Sequence, residues 1–229
     1  MIRAVLFDVF GTLLDVHSVT ARAEQLFPGQ GSQLSHLWRD KQLEYTRLRT
    51  LSDRYVPFTQ ITEDALLFAC DVLHLPLDAA ARGLLMHEYT QLAAFSDVVP
   101  ALRRLQHNGL TLGVLSNGDP GLLEDGLHGA QLEEYFDLIL SADQVRAYKT
   151  SNAVYALGPH TLNCAARDIL FVSSNGWDAV CATLFGYTTC WVNRNGAPLE
   201  RLGAAPHAKG RTLEAATDYL HKLQTVAQE

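Results

Sequence analysis

The strongest constraint on this chain is a repeated pairing: a short apolar run rich in β-branched residues, then a cluster of small polar ones. The runs are Ala4–Phe7, Thr111–Leu115, Leu138–Leu140, Ile169–Val172 and Thr189–Val192. Each is of strand length and lacks in–out alternation, the pattern of strands covered on both faces. Helical patterns lie between them. Val99–His107 stops at Asn108-Gly109, a C-cap signal. Pro120–Leu127 follows the second run, Asp178–Phe185 ends at Gly186, and Leu213–Gln224 closes the chain. Strands alternating with helices predict an α/β fold with a Rossmann-like parallel sheet core and right-handed crossovers.

One segment breaks the rhythm. From Val16 to Phe95, roughly eighty residues, the periodicity is helical and no strand is visible, as in LSHLWRDKQLEYTRLR and TEDALLFACDVLHL. That is far too long for one crossover helix, so it predicts an inserted helical cap subdomain. The expected organisation is a catalytic core from residues 1–15 and 96–229, with residues 16–95 as the cap; 229 residues suffice for one domain with an insertion.

Composition removes several classes of function. A net charge of -7 argues against nucleic acid as a partner. The N-terminal run is interrupted by Asp8 and Asp15, unlike a secretory leader. No stretch reaches the roughly 18 apolar residues that span a bilayer, so a cytoplasmic protein with no membrane partner is expected. Cys70, Cys164, Cys181 and Cys190 form no C-x-x-C pair and sit among apolar neighbours, as free thiols do in a reducing compartment. The histidines, His17, His36, His74, His87 and His107 among them, lack metal-ligand spacing and read as surface or packing residues.

In an open α/β sheet, ligands bind beyond the carboxyl ends of the strands. Asp8 and then Gly11-Thr12 follow the first run, and Ser116, Asn117 and Gly118 follow the second. Tyr148-Lys149 comes after the third, and Ser173, Ser174, Asn175 and Asp178 after the fourth. Any one of these is an ordinary loop residue or helix cap. Together they place a carboxylate nucleophile, anion-binding donors, an ammonium and a second carboxylate along one edge.

FDVFGTLLD, LSNG, the isolated Lys149 and SSNGWD resemble the four motifs of the haloacid dehalogenase superfamily. WRDKQLEYTRLR, LSNGD, FVSSNGWD and FGYTTCWVNRNG further resemble its L-2-haloacid dehalogenase branch, over nearly the whole chain. The first motif alone would equally suit the phosphatases of the superfamily. Those present a second Asp, a general acid, where this chain has Phe10. A departing halide needs no proton, and Phe10 would instead wall the substrate's carbon and halogen. Magnesium-dependent relatives present paired acids in the fourth motif. Ser173, Asn175 and Asp178 leave one carboxylate there, so neither a metal nor another cofactor is expected.

The resemblance implies a two-step displacement on (S)-2-haloacids, giving (R)-2-hydroxy acids. Asp8, desolvated beside Lys149, would expel halide and form an ester that water hydrolyses. Ser116 would hold the substrate carboxylate. Arg39 would meet the leaving halide, with Asn117 and the edge of Trp177 completing the cradle. Leu43, Phe58 and Trp177 would form the apolar pocket, with Tyr155 hydrogen-bonded nearby. Thr12 would support the oxyanion, and Ser173, Asn175 and Asp178 would position the water. Whether Asp178 or Lys149 takes the water's proton stays open. A homodimer through the cap helices is implied as well. A phosphatase and a non-catalytic ligand-binding protein on the same scaffold are the rival readings. There are three local departures. Thr150 replaces the usual proline after Lys149 and should loosen that loop. Gly176 should add freedom beside Trp177. Gly158-Pro159 should interrupt the helix after Tyr155.

Overall fold

Ala4–Phe7 forms strand β1, buried at every position. In the computed structural model, which describes residues 1–226, β1 lies between β2 (Thr111–Ser116) and β4 (Ile169–Ser173), parallel to both. With β3 (Leu138–Ser141), β5 (Thr188–Val192) and β6 (Ala208–Gly210) they make a parallel sheet in the order β3-β2-β1-β4-β5-β6. The order reverses between β1 and β4, and a crevice opens at the carboxyl ends of these two strands. Asp8 stands there, one residue beyond β1, its N–H still bonded to the Val172 carbonyl at 2.9 Å.

Helices α1 (Thr20–Leu26), α2 (Gly31–Leu51), α3 (Phe58–Val72) and α4 (Ala79–Glu88) fill the interval between β1 and β2 and pack on one another. Leu34, Trp38, Gln42 and Thr46 are buried on α2 at a spacing of four, which puts them on one face of the helix. Trp38 Nε1 donates to the Thr62 carbonyl at 2.7 Å and ties that face to α3. The two connections to these helices run side by side: Asp15 N–H donates to Ala93 O at 2.8 Å and Phe95 N–H to Leu13 O at 3.1 Å. Arg194, just past β5, fastens the second connection. Its Nη1 lies 3.1 Å from both Asp97 oxygens, its Nη2 donates to Thr12 O at 2.8 Å, and its guanidinium lies 3.9 Å from the Phe95 ring centroid. Further helices α5 (Val98–Gln106), α6 (Pro120–Gly129), α7 (Asn152–Leu162), α8 (Gly176–Phe185) and α9 (Glu214–Val226) accompany the sheet. Among the described residues no helix is long and apolar enough to cross a membrane.

Three expectations are corrected. β3 is an edge strand with one open face, and Ile139 is 36% exposed, so its apolar run did not mean coverage on both sides. β6 was not foreseen, because three half-exposed residues carry no periodic signal. Most informative is α7, which continues through Gly158-Pro159 instead of breaking. Pro159 has no N–H, which frees the carbonyl of Tyr155 four residues earlier. The Tyr187 hydroxyl donates to that carbonyl at 2.6 Å. Gly158 allows the approach, since a Cβ there would collide with the same hydroxyl and lie 2.7 Å from Leu6 Cδ1. Tyr187→Phe should therefore destabilise the fold by about 1–3 kcal/mol, the range for a buried acceptor left unpaired. Urea unfolding measures this. In a Pro159→Ala background the loss should shrink, because the restored N–H takes the Tyr155 carbonyl; an equal loss in both backgrounds would contradict this account of α7.

Candidate active site

Asp8, Thr12, Ser173 and Asn175 converge because β1 and β4 are neighbours and the chain turns sharply after each. Gly11 has φ +88°, a conformation L side chains rarely adopt. The turn it permits brings Thr12 back beneath Asp8. The Thr12 hydroxyl donates to Asp8 Oδ2 at 2.8 Å and accepts the Ser174 N–H at 2.8 Å, so one side chain locks the β1 loop to the β4 loop. Asn175 Nδ2 donates to Asp8 Oδ2 at 2.8 Å, and Ser173 Oγ reaches the same oxygen at 3.4 Å.

The other oxygen is dressed differently. Asp8 Oδ1 accepts from Lys149 Nζ at 2.9 Å, and among the described residues no other side-chain donor reaches it. Lys149 is 1% exposed and donates equally, at 2.9 Å, to Asp178 Oδ2, while Tyr155 donates to Asp178 Oδ1 at 2.7 Å. Two buried carboxylates thus share one ammonium. Burial alone would lower the pKa of Lys149, but the Asp178 and Asp8 carboxylates outweigh it, and the pKa lies above that of an ordinary lysine. The pKa of Asp178 is raised, by burial first; Lys149 opposes the rise and the Asp8 charge adds to it.

Around Thr150 the Lys149 loop is tied by three backbone N–H groups. Lys149 N–H donates to Asn117 Oδ1 at 2.9 Å, Tyr148 N–H to Thr50 Oγ1 at 3.0 Å, and Ser151 N–H to Tyr148 O at 2.9 Å. These bonds hold the segment where a proline ring is missing. Gly176 is not in open space: a Cβ there would lie 3.3 Å from the Trp191 ring. Ser116 lies buried at the end of β2, its Oγ accepting the Gly118 N–H at 3.2 Å. Gly118 has a second reason to be glycine, since a Cβ would sit 2.8 Å from Phe10 Cε2.

Above this floor come the helices that follow β1. Phe10 stacks on Phe58, the first residue of α3, with ring centroids 5.4 Å apart, and Tyr89 tilts against Phe10 at 6.0 Å. Arg39, half-buried on α2, reaches down to donate from Nη2 to the Phe10 carbonyl at 3.1 Å. Leu43 is half-buried one turn further along α2. Trp177, half-buried in the first turn of α8, lies beneath Arg47, whose guanidinium is 5.1 Å from its ring centroid. Thr59 clamps α3 to the α6 N-cap, giving Asp119 Oδ2 two hydrogen bonds of 2.7 Å. Tyr155 hydrogen-bonds beside the site, fully buried with its hydroxyl on Asp178 Oδ1.

The arrangement is that of a desolvated carboxylate beside a cation, with donors around one of its oxygens. A family model described as haloacid dehalogenase-like hydrolase matches residues 2–186. The chain belongs to this family. Among curated relatives, an (S)-2-haloacid dehalogenase of Pseudomonas sp. strain YL is 48% identical over 217 residues, covering 95% of this chain and 94% of that one. An L-2-haloacid dehalogenase of known crystal structure is 52% identical with a TM-score of 0.94, covering 96% and 99% of the two chains. A structure of L-2-haloacid dehalogenase from Xanthobacter autotrophicus with chloropropionic acid covalently bound is 32% identical, TM-score 0.90, again over 96% and 99%.

For a haloacid dehalogenase-like hydrolase, the donor set here does not suit a magnesium ion. Lys149 Nζ lies 2.9 Å from an oxygen of both Asp8 and Asp178, so the two buried carboxylates already share a cation of the protein's own. Among the described residues no three His, Cys, Asp or Glu side chains gather as a ligand set. Sequence reasoning gave no role to Ser174, Gln42 or Arg194. Ser174 was named with the fourth cluster but without a part of its own; its N–H holds Thr12. Arg194 follows a strand run, the same signal that picked out the other four clusters.

Proposed function

We propose that this protein hydrolyses small (S)-2-haloacids to (R)-2-hydroxy acids through a covalent ester on Asp8, with inversion at C2 and without a metal or other cofactor. The observation that carries this reading is the unequal dressing of the Asp8 carboxylate. Oδ1, bound by Lys149 alone, keeps a lone pair for attack on C2. Halide leaves as a stable anion, so Phe10 in place of a general acid is no handicap. Oδ2 faces Thr12, Asn175 and Ser173. When water then attacks the Asp8 carbonyl carbon, negative charge develops on Oδ2, where those donors already stand. One such donor contributes ~2.7–4 kcal/mol in comparable sites. The bond from that carbon to Oδ1 breaks, and Oδ1 departs as the product's hydroxyl oxygen. Asp178 is assigned the water's proton: it is the second carboxylate of the cluster, linked to Asp8 through Lys149 Nζ, and Lys149, held between two carboxylates, stays an ammonium. The covalent chloropropionic acid in the Xanthobacter relative supports the ester route.

Ser116 and the amide N–H₂ of Asn117, whose oxygen is taken by Lys149 N–H, are assigned to the substrate carboxylate and cradle. Arg39 takes the halide. Phe10, Leu43, Phe58 and Trp177 wall the carbon chain, and Tyr155 acts by holding Asp178. Residues 16–95 serve as the cap that shuts water out. Leu48, Leu51, Leu67, Phe68 and Val72, between 37% and 83% exposed on the outer faces of α2 and α3, support a homodimer through the cap. Four free cysteines support a cytoplasmic setting, and the net charge of -7 one without nucleic acid.

The test is halide release from (S)- and (R)-2-chloropropionate, with and without excess EDTA. Ser116, Arg39 and the line of attack from Asp8 fix the carboxylate, the halogen and C2, and the apolar wall then accepts the alkyl group on one side only, so only the (S) acid should react. The expected result is release from that enantiomer alone, (R)-lactate as product, and no effect of EDTA. Equal rates for both enantiomers, or activity lost to EDTA and restored by Mg²⁺, would overturn the reading.

A further inference from the structure

Gln42 is fully buried on α2, and both polar atoms of its side chain find hydrogen-bond partners. Its Oε1 accepts from Arg39 Nη1 at 2.7 Å and from the Tyr89 hydroxyl at 3.1 Å. Its Nε2 donates to Thr62 Oγ1 at 2.7 Å, and the Thr62 hydroxyl donates in turn to the Phe58 carbonyl at 2.8 Å. The amide has only one workable orientation. Arg39 has no acceptor to offer, and the single proton of Thr62 is committed to Phe58, so the oxygen must face the guanidinium.

This fixes Arg39 at two points, Gln42 through Nη1 and the Phe10 carbonyl through Nη2. Both anchors are neutral oxygens. A carboxylate at the position of Gln42 would hold the same geometry and cancel the charge. We propose that Gln42 is a positioning residue for the carbon–halogen cleavage: it aims the Arg39 guanidinium at the departing halide while leaving its full charge available. The inference rests on the dehalogenase reading above. The chain Arg39–Gln42–Thr62–Phe58 also joins the cation to the ring that stacks on Phe10, so leaving-group stabilisation and the shape of the apolar wall are set by one buried network.

Ester formation depends on Arg39 and ester hydrolysis does not, which separates positioning from mere folding. The experiment is single-turnover halide release from (S)-2-chloropropionate and (S)-2-bromopropionate by the wild type, Gln42→Glu, Gln42→Met and Arg39→Lys, with the decay of the ester followed separately. Gln42→Glu keeps the shape and the contact but neutralises the cation. Halide release should slow roughly ten- to a hundredfold, the effect of disturbing one hydrogen bond to a charged group. The slowing should be greater for chloride, the poorer leaving group, so the bromide-to-chloride ratio rises, while ester decay stays unchanged. Gln42→Met loses the aim and should move the same ratio in the same direction, as should Arg39→Lys. An unchanged ratio in Gln42→Glu, or equal slowing of ester formation and decay, overturns the proposal; if Gln42→Met does not fold, the isosteric Gln42→Glu decides alone. Absence of halide release from the wild type would instead overturn the dehalogenase reading itself.

Discussion

Asp8→Asn should abolish halide release, a fall of roughly 10⁴- to 10⁶-fold, the scale seen when one member of a covalent catalytic set is removed. The amide has neither the charge nor the lone-pair basicity to displace halide from carbon. The fold should survive. In the wild type two carboxylates share one buried ammonium, Lys149, at 2.9 Å each, which leaves the cluster one negative charge in excess. In the Asp8→Asn variant the remaining Lys149–Asp178 pair is charge-balanced. Thermal unfolding should therefore give a Tm equal to or above that of the wild type. An inactive variant that is also markedly less stable would mean that Asp8 serves structure first.

Lys149→Met should be damaging in both respects. It leaves Asp8 and Asp178 buried together without a cation, and breaking a buried pair in this way destabilises by about 3–5 kcal/mol. The loss should depend on pH. The Asp178 pKa, already raised by burial and by the Asp8 charge, loses the opposing Lys149 in the variant and rises further above that of the unfolded chain. Above the folded value both groups are charged and the deficit is full; as pH falls through it, one group takes up a proton and the deficit shrinks. Urea unfolding at pH 5 and pH 8 measures this, with the larger loss expected at pH 8. Turnover should also fall by orders of magnitude at either pH, because the nucleophile has lost its partner. A loss of stability equal at both pH values would show that the packing of the fully buried Lys149 side chain matters more than its charge.

The sheet was legible because its inner strands are buried on both sides. β1 was bounded as Ala4–Phe7 from the apolar run alone, and β2 and β4 differ from their runs by a single serine at the end. That serine is polar because the strand end enters the site, so hydropathy stops one residue before the ladder does. Polar residues that follow such runs stood out against them, which is why Asp8, Ser116 and Asn175 could be named from sequence. Lys149 stood out as an isolated cation in a loop; its two carboxylate partners lie 141 and 29 residues away, so its pairing with them came from the likeness to the family's motifs and not from local spacing. Tyr155 was expected to hydrogen-bond nearby, but that its partner is Asp178, 23 residues away, was not legible. Gln42 was invisible: in LSHLWRDKQLEYTRLR a glutamine reads as solvated. Only Thr62 and Tyr89, 20 and 47 residues away on other elements, make it buried and satisfied. At Gly158-Pro159 a local rule against proline in helices was overridden by a hydroxyl from Tyr187, a tertiary contact.

The central claim is that Asp8 Oδ1 bonds to the substrate's C2 and that water attacks the resulting ester at the Asp8 carbonyl. A single turnover of (S)-2-chloropropionate in heavy-oxygen water, followed by mass spectrometry of both product and digested protein, tests it most directly. The account predicts one heavy oxygen in the peptide carrying Asp8 and none in the lactate, whose hydroxyl oxygen comes from Asp8 itself. Heavy oxygen in the lactate after that first turnover, with none in the protein, would mean that water attacks C2 directly and that no ester forms.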